Sequence, residues 1–203
     1  LTPARLVSRN SAGNTPLHTA AKYGHLRALP VKTLTAETLL VKNDAGYTPL
    51  HHAALGGHLD QIPSELLVPD MLETRSNAGF TVFHVAAAHG HLSQIPAELL
   101  STDVMLRKTD VGNTLLHEAA EQGTLDRIPA GFLTAANLAY KNVGGETVLH
   151  VAAFNGHLDQ VPRSLLTAAA LLEATTAGDT VFHAAAIAAH LEPSGVAVHC
   201  VEQ

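Results

Sequence analysis

Residues 47–63 read YTPLHHAALGGHLDQIP, and nearly the same string returns along the whole chain. Thirty-three residues earlier stands NTPLHTAAKYGHLRALP (14–30), and thirty-three later FTVFHVAAAHGHLSQIP (80–96). The further copies are NTLLHEAAEQGTLDRIP (113–129), ETVLHVAAFNGHLDQVP (146–162) and the decayed DTVFHAAAIAAHLEPSG (179–195). Thr15, Thr48, Thr81, Thr114, Thr147 and Thr180 fall in register, and so do His18, His51, His84, His117, His150 and His183. Gly13, Gly46, Gly79, Gly112, Gly145 and Gly178 precede each threonine by two positions. A fixed period of this size, with no insertion or deletion, predicts a solenoid in which each unit contacts only its neighbours.

Within one unit the local chemistry reads as helix. Gly46 suits a tight loop. Thr48 is placed as a helix N-cap with Pro49 at the first helical position. Leu50, Ala53 and Ala54 share one face at helical spacing, and Gly57 stands where a helix closes. Val82, Leu115, Val148 and Val181 replace the proline in later copies.

The strings TPLHTA and TPLHHA, each followed by Gly-His-Leu six residues after the histidine, resemble the ankyrin repeat, whose period is also 33. The resemblance implies an all-α solenoid of about six 33-residue repeats, built of stacked helix pairs joined by hairpin-like loops. It further implies that the Thr-x-x-His histidines brace the helix start through hydrogen bonds, and that partners are bound on the concave side. The register divides the chain into a half-unit at 1–12, units at 13–45, 46–78, 79–111, 112–144 and 145–177, and a degenerate closing unit with a tail at 178–203. The chain thus opens halfway through a unit, which suits either a terminal cap or a piece of something longer.

The second half of each unit departs from the family. Pro30, Pro63, Pro96, Pro129 and Pro162 fall where one longer helix would run. Each would cost about 3 kcal/mol in a helix interior. The expectation is a broken second helix: a short turn over 59–62, a new turn begun by Pro63, and a third short helix capped by Thr35, Ser101, Thr134 or Thr167. Val68 lacks the cap, and Pro69 follows it.

Totals narrow the function. The 203 residues are 46% hydrophobic and 15% charged, enough apolar content for a buried core, with a formal net charge of −6. An acidic chain lacks the basic face on which phosphate binding depends, which argues against nucleic acid as partner. No apolar run reaches the roughly 20 residues of a membrane span, and the first residues lack a secretory layout. Cys200 is the only cysteine, so no internal disulfide forms, consistent with a reducing, cytoplasmic setting. No phosphate loop, dinucleotide fingerprint or nucleophile elbow is present. The reading is therefore of a non-enzymatic monomer without cofactor or metal. HEAAE (117–121) has a glutamate where a zinc protease motif needs its second histidine. Among the 14 histidines, a metal site on His51, His52, His58, His89 and His91 is the rival reading, and an architectural spacer another. Cys200 beside His199 reads as an ordinary tail thiol.

Residues the period does not dictate point to a partner surface. The resemblance implies that loop tips and the exposed side of the first helix vary and make contacts. On this chain the candidates are Tyr23, Tyr47, His52, Phe80, His89 and Phe154, with Glu118, Glu121, Glu146 and Asp179 as an acidic half. Tyr47 and Phe80, in the same slot of adjacent units, are expected side by side. Exposed aromatics are enriched at binding hot spots, and an acidic face steers a basic partner.

Overall fold

The structure, a computed structural model, describes residues 8–191. The expected half-unit is thus described only from residue 8, while Pro193, His199 and Cys200 lie outside the described residues. Helices are numbered in chain order. The first helix of each unit is α1 (Pro16–Lys22), α3 (Pro49–Gly56), α5 (Val82–Ala88), α7 (Leu115–Gln122), α9 (Val148–Phe154) and α11 (Val181–Leu191). Between them lie one-turn helices α2 (Ala36–Leu39), α4 (Pro69–Leu72), α6 (Thr102–Met105), α8 (Ala135–Leu138) and α10 (Ala168–Leu171). There is no strand among the described residues, only isolated bridges Lys141–Thr147 and Ala174–Thr180 at two loops. No described helix is long and apolar enough to cross a membrane.

The expected helix starts are present. Thr48 is extended (φ −102°, ψ 168°), its hydroxyl accepts from the His51 backbone N–H, and Pro49 opens α3. Gly57 closes the helix at φ 73°. Each first helix packs against the next, α1 on α3 through to α9 on α11. Ala53, Ala54, Ala86, Ala87, Ala119 and Ala120 are fully buried between them, and these small side chains let neighbouring helices approach closely.

The second half of the unit is broken twice. A 3₁₀ turn covers Leu59–Gln61 and stops before Ile62, which is extended (φ −85°, ψ 133°). Proline disfavours the helical conformation in the residue before it. Pro63 is itself extended (φ −53°, ψ 132°) and precedes a second 3₁₀ turn, Ser64–Leu66. The proline therefore introduces the new turn without being its first residue, one position off the sequence expectation. The third piece begins as expected: Thr35, Ser101, Thr134 and Thr167 each accept a backbone N–H three residues on, whereas Val68 offers no side-chain cap. Leu59 and Leu72 are fully buried and Leu67 nearly so, so the broken segment still delivers apolar side chains to the core.

Candidate functional site

The loops that would meet a partner are held by side chains from the helices behind them. The backbone N–H of Thr48 donates to His51 Nδ1 at 3.2 Å, and His51 Nε2–H donates to the Phe80 carbonyl of the next loop at 3.1 Å. Because Nδ1 accepts, the proton sits on Nε2 and the ring is neutral. The same bracing joins His18 to Tyr47, His117 to Glu146 and His150 to Asp179. His84 differs, reaching the Arg107 carbonyl at 3.0 Å. Burial pushes His51, His84 and His117 down to about 4, against the smaller upward effect of these carbonyls.

Three further sets of braces were not anticipated from the sequence. Asn10, Asn43, Ser76, Thr109, Asn142 and Thr175 recur at the same period, and each side chain accepts the backbone N–H four residues on. Arg9, Lys42, Arg75, Lys108 and Lys141 form a second row, each donating to a backbone carbonyl 33 residues ahead. Gln61 Oε1 accepts from the Leu26 N–H and its Nε2 donates to the Gly24 carbonyl, and Gln94 and Gln160 repeat the pattern. The signal for all three rows was the spacing itself, which marks small polar, basic and amide residues in register.

The candidate partner residues divide by exposure. Tyr23 (59% exposed) and Phe154 (47%) are on the surface, with Lys22 Nζ 5.6 Å from the Tyr23 ring centre. Glu121, Glu146 and Asp179 are also exposed. Tyr47 and Phe80 are half-buried and pack on the core. The Tyr47 ring meets the His51 ring edge-on at 5.2 Å, and the Phe80 ring meets His84 at 6.2 Å. Each aromatic thus rests first on the histidine of its own helix, and among the described residues no ring contact joins Tyr47 to Phe80. His89 donates from Nδ1 to the Val85 carbonyl and lies 6.5 Å from the His91 ring.

The slot after the bracing histidine is largely covered, although Thr19 of the first unit is exposed. Val85, Glu118 and Ala184 are buried, and His52 is half-buried with Nδ1 3.3 Å from the His18 carbonyl of the preceding helix. Glu118, expected as an exposed acidic contact, is only 4% exposed. Close helix approach across the alanine pairs covers this row, which the sequence pattern of a single helix does not show. Asn113 Nδ2 donates to Glu118 Oε1 at 3.0 Å, and Asn142 Nδ2 donates to Asn113 Oδ1 at 3.0 Å and to Glu146 Oε2 at 2.7 Å. Glu118 and Glu146 are therefore joined through two amides. Burial, reinforced by the nearby Glu121 charge, raises the Glu118 carboxyl to about 7 despite the Asn113 bond. Burial also raises the Tyr47 phenol, with a smaller contribution from the Glu118 charge.

The histidines of the rival metal reading are engaged elsewhere. Both ring nitrogens of His51 hold loop atoms, His91 Nδ1–H donates to the Ala54 carbonyl at 2.8 Å, and the His58 ring covers Gly24. Among the described residues no three His, Cys, Asp or Glu side chains are grouped to hold a metal ion.

Among the described residues four ion pairs link surface charges: Arg27–Asp60, Arg75–Asp110, Arg107–Glu73 and Lys141–Glu173. Among the described residues none of Glu121, Glu146 and Asp179 has such a partner. Compared with known families, residues 3–64 match the family model described as ankyrin repeats (3 copies). No curated protein matches the chain.

Proposed function

We propose, from the match of residues 3–64 to ankyrin repeats and the return of the same helical unit through the described residues, that the chain binds a basic segment of a partner protein along its loop tips and first helices. Ankyrin repeats are generally protein–protein interaction modules, and the family is typically non-enzymatic. The observation that carries the finer reading is the exposure of Glu121, Glu146 and Asp179 in slots that the repeat does not dictate. Glu73, Asp60, Asp110 and Glu173 are neutralised within the chain, while most of the other acids, the exposed Glu121, Glu146 and Asp179 among them, have no ion pair among the described residues. Unpaired charge of one sign on one surface raises the association rate of an opposite charge more than its final affinity.

In this reading Tyr23 and Phe154 are the apolar anchors on the concave side, since buried aromatic contacts dominate interface energetics. Tyr47, Phe80, His52 and His89 form the half-buried floor beneath the partner. Glu118 acts through Asn113 and Asn142, holding Glu146 in place, and does not touch the partner. The working setting is a reducing intracellular one.

The test is capture from source lysate with the native chain and two variants that melt alike. One carries Tyr23→Ala with Phe154→Ala; the other carries Glu121→Lys, Glu146→Lys and Asp179→Lys. A basic protein retained by the native chain and lost by both variants is the expected result. A partner equally retained by both would place binding elsewhere on the solenoid.

A further inference from the structure

One row of side chains crosses all the first helices at the same position, and it is not uniform. The 33-residue period brings Lys22 of α1, Leu55 of α3, Ala88 of α5, Glu121 of α7 and Phe154 of α9 to equivalent places. Each of these helices packs on the next, so the row runs as a line across the stack. Lys22, Glu121 and Phe154 are exposed, Leu55 is half-buried and Ala88 is buried. The line therefore reads cation, apolar, apolar, anion, apolar. Ala88, its smallest side chain, leaves room for a larger apolar residue of a partner.

Both charges act on the row beside them. Burial chiefly lowers His52 on α3, and the Lys22 charge on α1 adds to it. Burial chiefly raises Glu118, and the Glu121 charge adds to it. His52 and Glu118 each follow the bracing histidine of their helix, so one continuous surface feels a cation near α1 and an anion at α7. Neither Lys22 nor Glu121 has an ion-pair partner among the described residues.

Spacing decides what fits such a line. Packed helix axes lie about 8–10 Å apart, so Lys22 and Glu121, three helices apart, stand about 24–30 Å from each other. A polyproline-type extended chain has three residues per turn and brings every third side chain to one face, about 9.3 Å further on. That step matches the step between helices. A β-strand repeats its face about every 6.6 Å and falls out of register by the second helix. An α-helix laid across the stack keeps step only through every seventh residue, about 10.5 Å on.

We infer that the partner segment is an extended chain of this polyproline type with opposite charges along one face. An acidic residue lies over Lys22, apolar residues over Leu55 and Ala88, a basic residue over Glu121 and an apolar one over Phe154, each three positions from the last. The inference rests on the loop tips and first helices being the partner surface. It refines the basic segment to one with an acid about nine residues from its leading cation. Such a chain is already extended and has no internal hydrogen bonds to give up, so it loses little freedom on docking. The two charges also fix which end lies over α1, because the reversed segment would set like against like.

Fluorescence anisotropy on the 203-residue chain tests it with synthetic peptides. The pattern peptide carries Asp, Leu, Leu, Lys and Leu at every third position with Pro-Ser between them, made in both chain directions. Controls set the same residues at every fourth position, set them at every seventh in an alanine-rich helical frame, or replace the Asp of the pattern by Asn. One direction of the pattern peptide should bind at least about tenfold tighter than the every-fourth control. Lys22→Glu and Glu121→Lys, at exposed positions and first shown to melt like the native chain, should each weaken it about fivefold or more at low salt. The doubly exchanged chain should instead prefer the peptide with Asp and Lys exchanged, and Lys22→Glu should not weaken the Asn peptide.

Equal binding of the every-fourth control, tighter binding of the helical one, or equal binding in both directions would overturn the inference. So would no binding of the pattern peptide in either direction at millimolar concentration. An Asn peptide held as tightly as the Asp peptide, with Glu121→Lys weakening both, would remove the acid over Lys22 and leave the basic-partner reading standing. If Glu121→Lys weakened neither, that reading would fall as well.

Discussion

The neutral histidines make this fold sensitive to acid, and the direction follows from where their protons lie. His51, His52, His84 and His117 are lowered to about 4 by burial, below the ordinary 6.5. Between those values the unfolded chain takes up protons that the folded chain refuses. Stability is therefore complete above pH 6.5 and drains as pH falls toward 4, by at most about 1.4 kcal/mol per pH unit for each histidine. Glu118 runs the other way. Its carboxyl is raised to about 7 from 4.5, so its contribution is complete below pH 4.5 and is lost as pH rises through 7. Four histidines outweigh one glutamate, and melting temperature should fall steeply from pH 6.5 to pH 4. Glu118→Gln should stabilise the protein by about 1–3 kcal/mol at pH 8, with little effect at pH 4.5. A melting temperature indifferent to pH over 4 to 6.5, or a Glu118→Gln variant no more stable at pH 8 than the native chain, would contradict these assignments.

At the scale of the element, the helix ends and the proline breaks answer to different forces. Gly57 ends α3 at φ 73°, and a Cβ there would meet His91 Nε2 at 2.8 Å. Gly57→Ala should cost about 1–2 kcal/mol from the left-handed backbone alone, and more if the His91 ring cannot move. Pro63→Ala should cost less than about 1 kcal/mol, the range for relaxing an unfolded chain. Far-UV circular dichroism should show little added helix in that variant, since non-helical backbone at Leu67 and extended backbone at Val68 still interrupt the segment. A rise in helicity would mean that proline alone holds the break. The caps and closing glycines were legible because each acts within a few residues of itself. Thr48, Pro49 and Gly57 announce α3 with no knowledge of the rest. The burial of Glu118 was not legible, because it depends on how closely α5 and α9 approach α7. The basic row was present in the sequence, but its role lay in carbonyls one unit away. Read along one unit, Lys42 and Lys108 are ordinary surface charges.

For the whole molecule, stability is a sum over adjacent contacts, each unit bound to its neighbours alone. Phe83 in α5 is 1% exposed, and Phe83→Ala should cost about 3–5 kcal/mol through lost contact and a cavity. The loss should be local. Amide exchange should accelerate first in α3, α5 and α7, while α9 and α11 keep more of their protection; uniform acceleration would instead indicate one cooperative block. The basic row adds a constraint of a different kind. Arg9, Lys42, Arg75, Lys108 and Lys141 each grasp a carbonyl 33 residues ahead, and every acceptor is offered by the same backbone position of its loop. A residue slipped in between grip and carbonyl throws that hold out of phase. A whole unit inserted at a loop hands each cation an identical carbonyl and leaves every hold in phase. The chain has, in effect, a reading frame of its own, and its length can change only in complete steps.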